Sequence, residues 1–232
     1  MDSAVSAQPV KPGFFPVLLQ ALFPENCLLC NERLTGGRLI CRQCEVSDPL
    51  KPAPEFAPER YARQFGFLYE GSGKALLKAA KFGNRRRARN FWIAAARPLL
   101  TQLAGEKTKL LALPSSKPFL RQLLQAVVPP ERLVLNAFRT KRSAFFGNDA
   151  NKFLGEAARY RRIHDSLQWN NQVIGEADRY IICGDVSTAG ATLIQAARLT
   201  ESHLRIAPER ITIWALLYRP REFADHLRTP RQ

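Results

Sequence analysis

The stretch Tyr180-Ile181-Ile182-Cys183-Gly184-Asp185-Val186-Ser187-Thr188-Ala189-Gly190-Ala191-Thr192-Leu193 decides the fold. Tyr180 to Cys183 is aromatic and β-branched, has no turn former, and predicts a strand. An acid, Asp185, follows. Ser187, Thr188, Gly190 and Thr192 are too small and polar to fill a core. They suit a loop that presents backbone N–H groups and hydroxyls to a small anion. From Ala191 the pattern turns helical, with Leu193, Ile194, Ala197 and Leu204 near one face. A loop of this kind at a helix N-terminus is a ready phosphate site, because unpaired N–H groups and the helix dipole both point at it. The plainer alternative is the strand, tight turn and helix of any α/β domain.

Working outward, strands and helices alternate. Gln64 to Tyr69 reads as a strand and Gly71 to Phe82 as a helix, with Leu76, Leu77 and Ala80 inward. Phe91 to Leu103 is a further helix, Lys109 to Leu113 a strand, Lys117 to Val128 a helix and Leu133 to Phe138 a strand. Lys152 to Arg162 reads as helix. Arg179 to Cys183 is the strand of the quoted stretch, and Ala191 to His203 its helix. Arg210 to Tyr218 is a last strand whose outward positions are not polar, so both of its faces are expected to be covered. This alternation predicts an α/β fold with a mostly parallel sheet flanked by helices.

Four of the five cysteines form two CxxC pairs, Cys27–Cys30 and Cys41–Cys44, separated by ten residues that include Gly36 and Gly37. Each pair can turn two sulfurs to one side, and together they complete a tetrahedral S₄ site of the kind zinc prefers. Two disulfides and a redox CxxC are the rivals. A reducing compartment disfavours the first, and a redox motif needs no duplicate. So short a segment has few apolar residues, so bound metal is expected to supply its folding energy. Arg33, Arg38 and Arg42 are placed to offset the charge of four thiolates on one divalent ion.

The expected organisation is a loose N-terminal tail over 1–13, an apolar helix (Phe14 to Phe23) and four-Cys zinc module over 14–50, a Pro-rich linker over 51–60, and an α/β domain over 61–232. Lys and Arg outnumber Asp and Glu by 35 to 20, a formal charge of +15. Such a surface attracts anions: nucleic acid, phosphorylated small molecules or anionic lipid. The densest patch is Lys74, Lys78, Lys81, Arg85, Arg86, Arg87 and Arg89, seven basic residues with no acid among them. It is either a solvated face or a seat for an anionic partner such as single-stranded DNA. No export signal is legible, and no segment approaches the roughly 20 apolar residues that cross a bilayer. The expected location is the cytoplasm. His164, His203 and His226 lack ligand-like spacing. Cys183, inside a strand, reads as a buried apolar residue.

The loop resembles the ribose-phosphate loop of type I phosphoribosyltransferases, where two acids end a strand and Thr-Thr-Gly-x-Thr follows. Asp185 matches the second acid, and Thr188, Gly190 and Thr192 match the loop. Gly184 stands in place of the first acid and Ala189 in place of the second Thr. The order of an apolar helix ending in Leu22-Phe23-Pro24, a four-Cys module, a Lys-rich helix ending in Lys81-Phe82-Gly83 and this loop resembles the ComF/GntX family over most of the chain. That resemblance implies a zinc ribbon joined to a phosphoribosyltransferase-like domain, and an association with DNA uptake and DNA-uptake proteins in natural transformation. It also implies that Asp185 holds ribose hydroxyls and is the candidate catalytic residue. Ser187, Thr188, Ala189, Gly190, Ala191 and Thr192 would hold the 5′-phosphate of phosphoribosyl pyrophosphate, with Mg²⁺ on the leaving group if the site turns over. The family's pyrophosphate-side Arg-Gly-Phe-Asn stretch is absent from 113–122, where Pro114 and Arg121 remain, and of the Arg and Gln expected over 139–148 only Arg139 stands where the resemblance asks for it. These departures favour a weakly active or non-catalytic protein that binds a phosphorylated sugar or nucleotide over an active glycosyltransferase of the phosphoribosyltransferase type.

Overall fold

The computed structural model describes residues 26–34, 38–57, 59–83, 85–140, 166–188 and 190–220. The expected helices at Phe14 to Phe23 and Lys152 to Arg162 lie outside them. The chain divides into two compact units, Met1–Pro49 and Leu50–Gln232.

In the first unit the Cys27–Cys30 pair forms a turn. Cys27 N–H donates to Glu32 O and Asn31 N–H to Cys27 O, with Asn31 in the left-handed region (φ 65°). An isolated bridge pairs Asn26 with Arg33. The second CxxC is not a matching turn. Cys41 is the N-cap of a short helix, α1 (Arg42–Ser47), and Cys44 sits in its first turn.

The second unit is built on a five-stranded, wholly parallel sheet in the order β1-β7-β6-β2-β3. The strands are β1 (Ala62–Leu68), β2 (Thr108–Ala112), β3 (Leu133–Val134), β6 (Arg179–Ser187) and β7 (Ile211–Tyr218). The helices are α2 (Gly71–Lys81), α3 (Arg86–Leu103), α4 (Phe119–Val127) and α5 (Ala191–Leu204). A separate antiparallel pair, β4 (Phe138–Thr140) and β5 (Leu167–Trp169), packs near α5.

Parallel neighbours need crossover helices, and those crossovers are right-handed. The chain moves one way across the sheet through β1, β2 and β3, and the opposite way from β6 to β7. Helices α3 and α4 therefore cover one face and α5 the other. On the α5 face, Leu193, Ala196 and Ala197 bury Tyr180, Ile182, Ile211, Ile213 and Ala215. By strand alternation Leu110, Ile181, Cys183 and Trp214 point to the opposite face, and all four are buried. Within the helices of that layer Trp92, Leu100, Leu120 and Leu124 are buried too. All but the last residue of β7 is buried, as its unalternating sequence predicts.

Three differences from the sequence reading have plain causes. The Pro-rich stretch expected as a linker begins as an edge segment: Ala53 N–H donates to Gly66 O and Leu68 N–H to Lys51 O, and Pro52 bridges Phe67. Pro52 occupies a position whose N–H the ladder does not need, which is where an edge accepts proline. The strand expected from Leu133 to Phe138 splits between two sheets. Helix α3 starts five residues before Phe91, because arginine is a good helix former even where it reads as a charged loop.

Helix α2 packs hard against the end of β1. A Cβ on Gly73 would lie 2.5 Å from Leu68 O and 3.3 Å from Leu50 Cδ1. Backbone cannot yield cheaply, so Gly73→Ala is expected to cost about 1–3 kcal/mol despite alanine's better helix propensity. Urea unfolding checks this; an unchanged midpoint would show that α2 can slide.

Candidate functional site

The strand order reverses between β2 and β6. Their neighbours lie on opposite sides, so the loops that leave their carboxyl ends diverge and open a crevice. In open α/β sheets that crevice is the default ligand site. The segments there are 113–118 after β2 and 185–192, which runs from the end of β6 into α5, and Asp185 is the only acid in either.

Strand β6 runs four residues further than expected, through Ser187, so Asp185 lies within it. Its carboxylate does two things. Oδ1 accepts the Val186 N–H at 2.9 Å, and Oδ2 accepts from Lys81 Nζ at the end of α2. The two side chains of this ion pair are only 18% and 19% exposed. The pair joins residues 104 positions apart, which no local pattern marks.

Beyond Asp185, Ser187 is buried and Thr188 exposed; Ala189 lies outside the described residues. Gly190 has φ 71°, a conformation costly for other residues, and caps α5 with no side chain bonded to the helix start. Ile194 N–H donates to Gly190 O at 2.8 Å, the first bond of the helix. Ala191 and Thr192 form its first turn, half-buried. The first-turn N–H groups thus face the loop, as an anion requires.

Gly184 is buried, and a Cβ there would meet Leu193 Cδ2 at 3.2 Å. The place of a first acid is filled by a core leucine. Magnesium wants several oxygen ligands in near-octahedral order. These segments offer one carboxylate, already opposed by an ammonium, so the side chains present do not make a divalent-cation site. Arg121 is exposed on α4, and Arg139 is exposed on β4 opposite Gln168.

The basic residues do not form one face. Lys74 and Lys78 are exposed on α2, whereas Lys81 turns to Asp185. Arg85 is the N-cap of α3, and Arg86, Arg87 and Arg89 occupy its first turn with no acid. Positive charge there opposes the helix dipole. Arg89 donates to Gln122 Oε1 at 3.1 Å beside a cavity of about 240 Å³, lined also by Arg86, Asn90 and Phe119. Asp178 lies before β6, at the far end of the sheet from the loop. His203 stacks on Trp169, and burial pushes the Cys183 thiol up and out of reactivity.

In the first unit, the sulfurs of Cys27, Cys30, Cys41 and Cys44 all lie within 4.8 Å of one another, close enough to hold a metal ion. None is in a disulfide. Cys30 and Cys41 sulfurs are 3.6 Å apart, near the roughly 3.8 Å edge of a tetrahedron with 2.3 Å metal–sulfur bonds. The N–H groups of Leu29 and Cys41 point at Cys27 Sγ (3.4 and 3.3 Å), and that of Cys44 at Cys41 Sγ (3.4 Å). Burial alone would raise the Cys27 thiol, but backbone N–H groups of Cys30, Cys41 and Leu29 together bring it down to about 6. Of the arginines expected to offset the cluster, Arg38 pairs with Glu45 instead.

No protein-family model matches the chain, and no curated protein matches it. Among the described residues no helix is long and apolar enough to cross a membrane.

Lys81 and Asp185 should be coupled. Lys81→Met strands a part-buried carboxylate and is expected to cost about 1–3 kcal/mol. Adding Asp185→Asn should recover part of that loss, leaving a coupling of roughly 0.5 kcal/mol or more in a denaturation double-mutant cycle. Additive effects would mean the pair contributes nothing.

Proposed function

We propose that this chain is a ComF-type protein: a structural zinc module joined to a phosphoribosyltransferase-like domain that binds a phosphorylated sugar or nucleotide and turns it over weakly or not at all. One observation carries the reading. The Ser187–Thr192 loop, with its left-handed Gly190, opens helix α5 at the strand-order reversal, directly after an acid whose charge Lys81 already matches. Backbone N–H groups and the helix dipole supply the attraction for phosphate without any residue from the missing motifs.

Turnover asks for more than binding. An oxocarbenium-like centre and a departing pyrophosphate need the ribose held and the leaving group stabilised. The chain has a single acid for the ribose, and it lacks the Arg-Gly-Phe-Asn stretch. Binding therefore survives the departures better than catalysis does.

The family resemblance supports an association with DNA uptake, and a cytoplasmic setting would keep the four cysteines reduced. The crowding of Arg85, Arg86, Arg87 and Arg89 at a helix start supports a single-stranded DNA contact, since a polyanion relieves both their mutual repulsion and their conflict with the helix dipole. The sulfur geometry and N–H···S contacts support zinc in the four-Cys site, which favours four thiolates in a closed tetrahedron.

Two measurements test this. Metal analysis of the purified chain should find one zinc per chain, lost in Cys30→Ser and Cys44→Ser; a metal-free folded protein rules the zinc module out. Calorimetry with phosphoribosyl pyrophosphate should show binding that Asp185→Asn weakens about tenfold or more, as expected for a charge-assisted hydrogen bond. No binding at millimolar ligand reduces the domain to a scaffold. Transfer activity with Mg²⁺ that Asp185→Asn removes makes it an active phosphoribosyltransferase.

A further inference from the structure

Among the described residues only Val46, Phe82 and Val173 are large, apolar and exposed, and Phe82 is the aromatic one, with 65% of its surface in water. Its position is not arbitrary. Phe82 follows Lys81 at the end of α2, and Lys81 reaches Asp185 in the crevice. Lys117 comes from the other wall, the segment after β2. The ammonium groups of Lys81 and Lys117 lie 5.7 and 6.0 Å from the centre of the Phe82 ring.

These distances are at the outer limit of a cation–π contact, so they hold the lysines loosely while leaving the ring open. The helix end does not require the ring: Phe82 contributes its backbone N–H to Lys78 O, which any residue but proline supplies. An exposed phenyl ring flanked by two ammonium groups from separate elements has a definite chemical complement. It is a flat π-system carrying an anion, with the two set apart as a nucleobase is from its own phosphate.

We propose that Phe82, Lys81 and Lys117 form a nucleotide-binding platform at the mouth of the crevice, with the base stacked on Phe82 and the phosphate met by the two lysines. Base–aromatic stacking tolerates any base, so the platform reads the nucleotide class and not its sequence. The proposal goes beyond the loop reading and does not rest on it, because none of the three residues belongs to the loop. A free nucleotide and a single strand share this chemistry.

The test is calorimetric titration of the full chain with adenosine, AMP, ribose 5-phosphate and a short oligothymidylate. AMP should bind more tightly than adenosine. Phe82→Ala should weaken adenosine and AMP by about five- to a hundredfold, the range of one base–aromatic stack, and Phe82→Tyr should restore both. Lys117→Gln should weaken AMP and leave adenosine unchanged. Oligothymidylate binding that depends on Phe82 while AMP does not bind would assign the platform to a strand; the reverse assigns it to free nucleotides. Phe82→Ala leaving every ligand unchanged overturns the proposal. Ribose 5-phosphate has no aromatic base to stack, so Phe82→Ala should leave its binding unchanged, which separates a failed loop from a failed platform.

Discussion

Strand β6 sits between β2 and β7, with both faces buried from Tyr180 to Cys183. A parallel strand enclosed in this way satisfies its backbone on both sides and can present only apolar groups to the helices above and below it. Each crossover that leaves the sheet must be right-handed. Once β2 leads to β3 on one side and β6 to β7 on the other, the helices have to fall on opposite faces and the two carboxyl-end loops have to part. The crevice that holds Asp185 and Gly190 is thus a consequence of strand order. Any polar residue that follows β6 is delivered to it.

Much of this was legible because burial leaves a periodic trace. The run of β7, apolar but for Thr212, and the helical spacing of α2 and α5 are direct records of which faces are covered. The misreadings share a cause as well. Local signals mislead where tertiary contacts decide. Prolines near residue 52 suggest a linker, but one of them falls where an edge strand asks for no N–H. The apolar run from Leu133 looks like one strand, yet its two ends pair with different partners, β2 and β5. The two CxxC motifs look alike, but only the first is a turn; the second is the start of a helix, where Cys41 Sγ accepts the Cys44 N–H.

The candidate site divides the same way. The loop after β6 was legible because its chemistry is local: small residues, hydroxyls and a glycine at a position with positive φ. Lys81 was visible only as one of seven basic residues. Its distinct role comes from a partner 104 positions away that no periodicity encodes. Lys117 carried no signal and Phe82 only its place in the Lys81-Phe82-Gly83 stretch, since a lysine in a loop and a phenylalanine at a helix end are ordinary until the fold sets them side by side.

The pairing of Lys81 with Asp185 leaves the end of β6 with a single, balanced acid. Two adjacent carboxylates at the end of a buried strand repel each other and call for a cation between them. With glycine at 184 one of those charges is gone. The space is not vacant either, because Leu193 closes to 3.2 Å of where a Cβ would stand. One carboxylate and one ammonium remain, each mostly out of water, and together they are close to neutral. An anion at the start of α5 would therefore meet no uncompensated negative charge. An acid at 184 would not be a neutral addition. It would press on the packed Leu193 and set a second charge beside a pair already balanced, so leucine, lysine and glycine have to be understood as one arrangement.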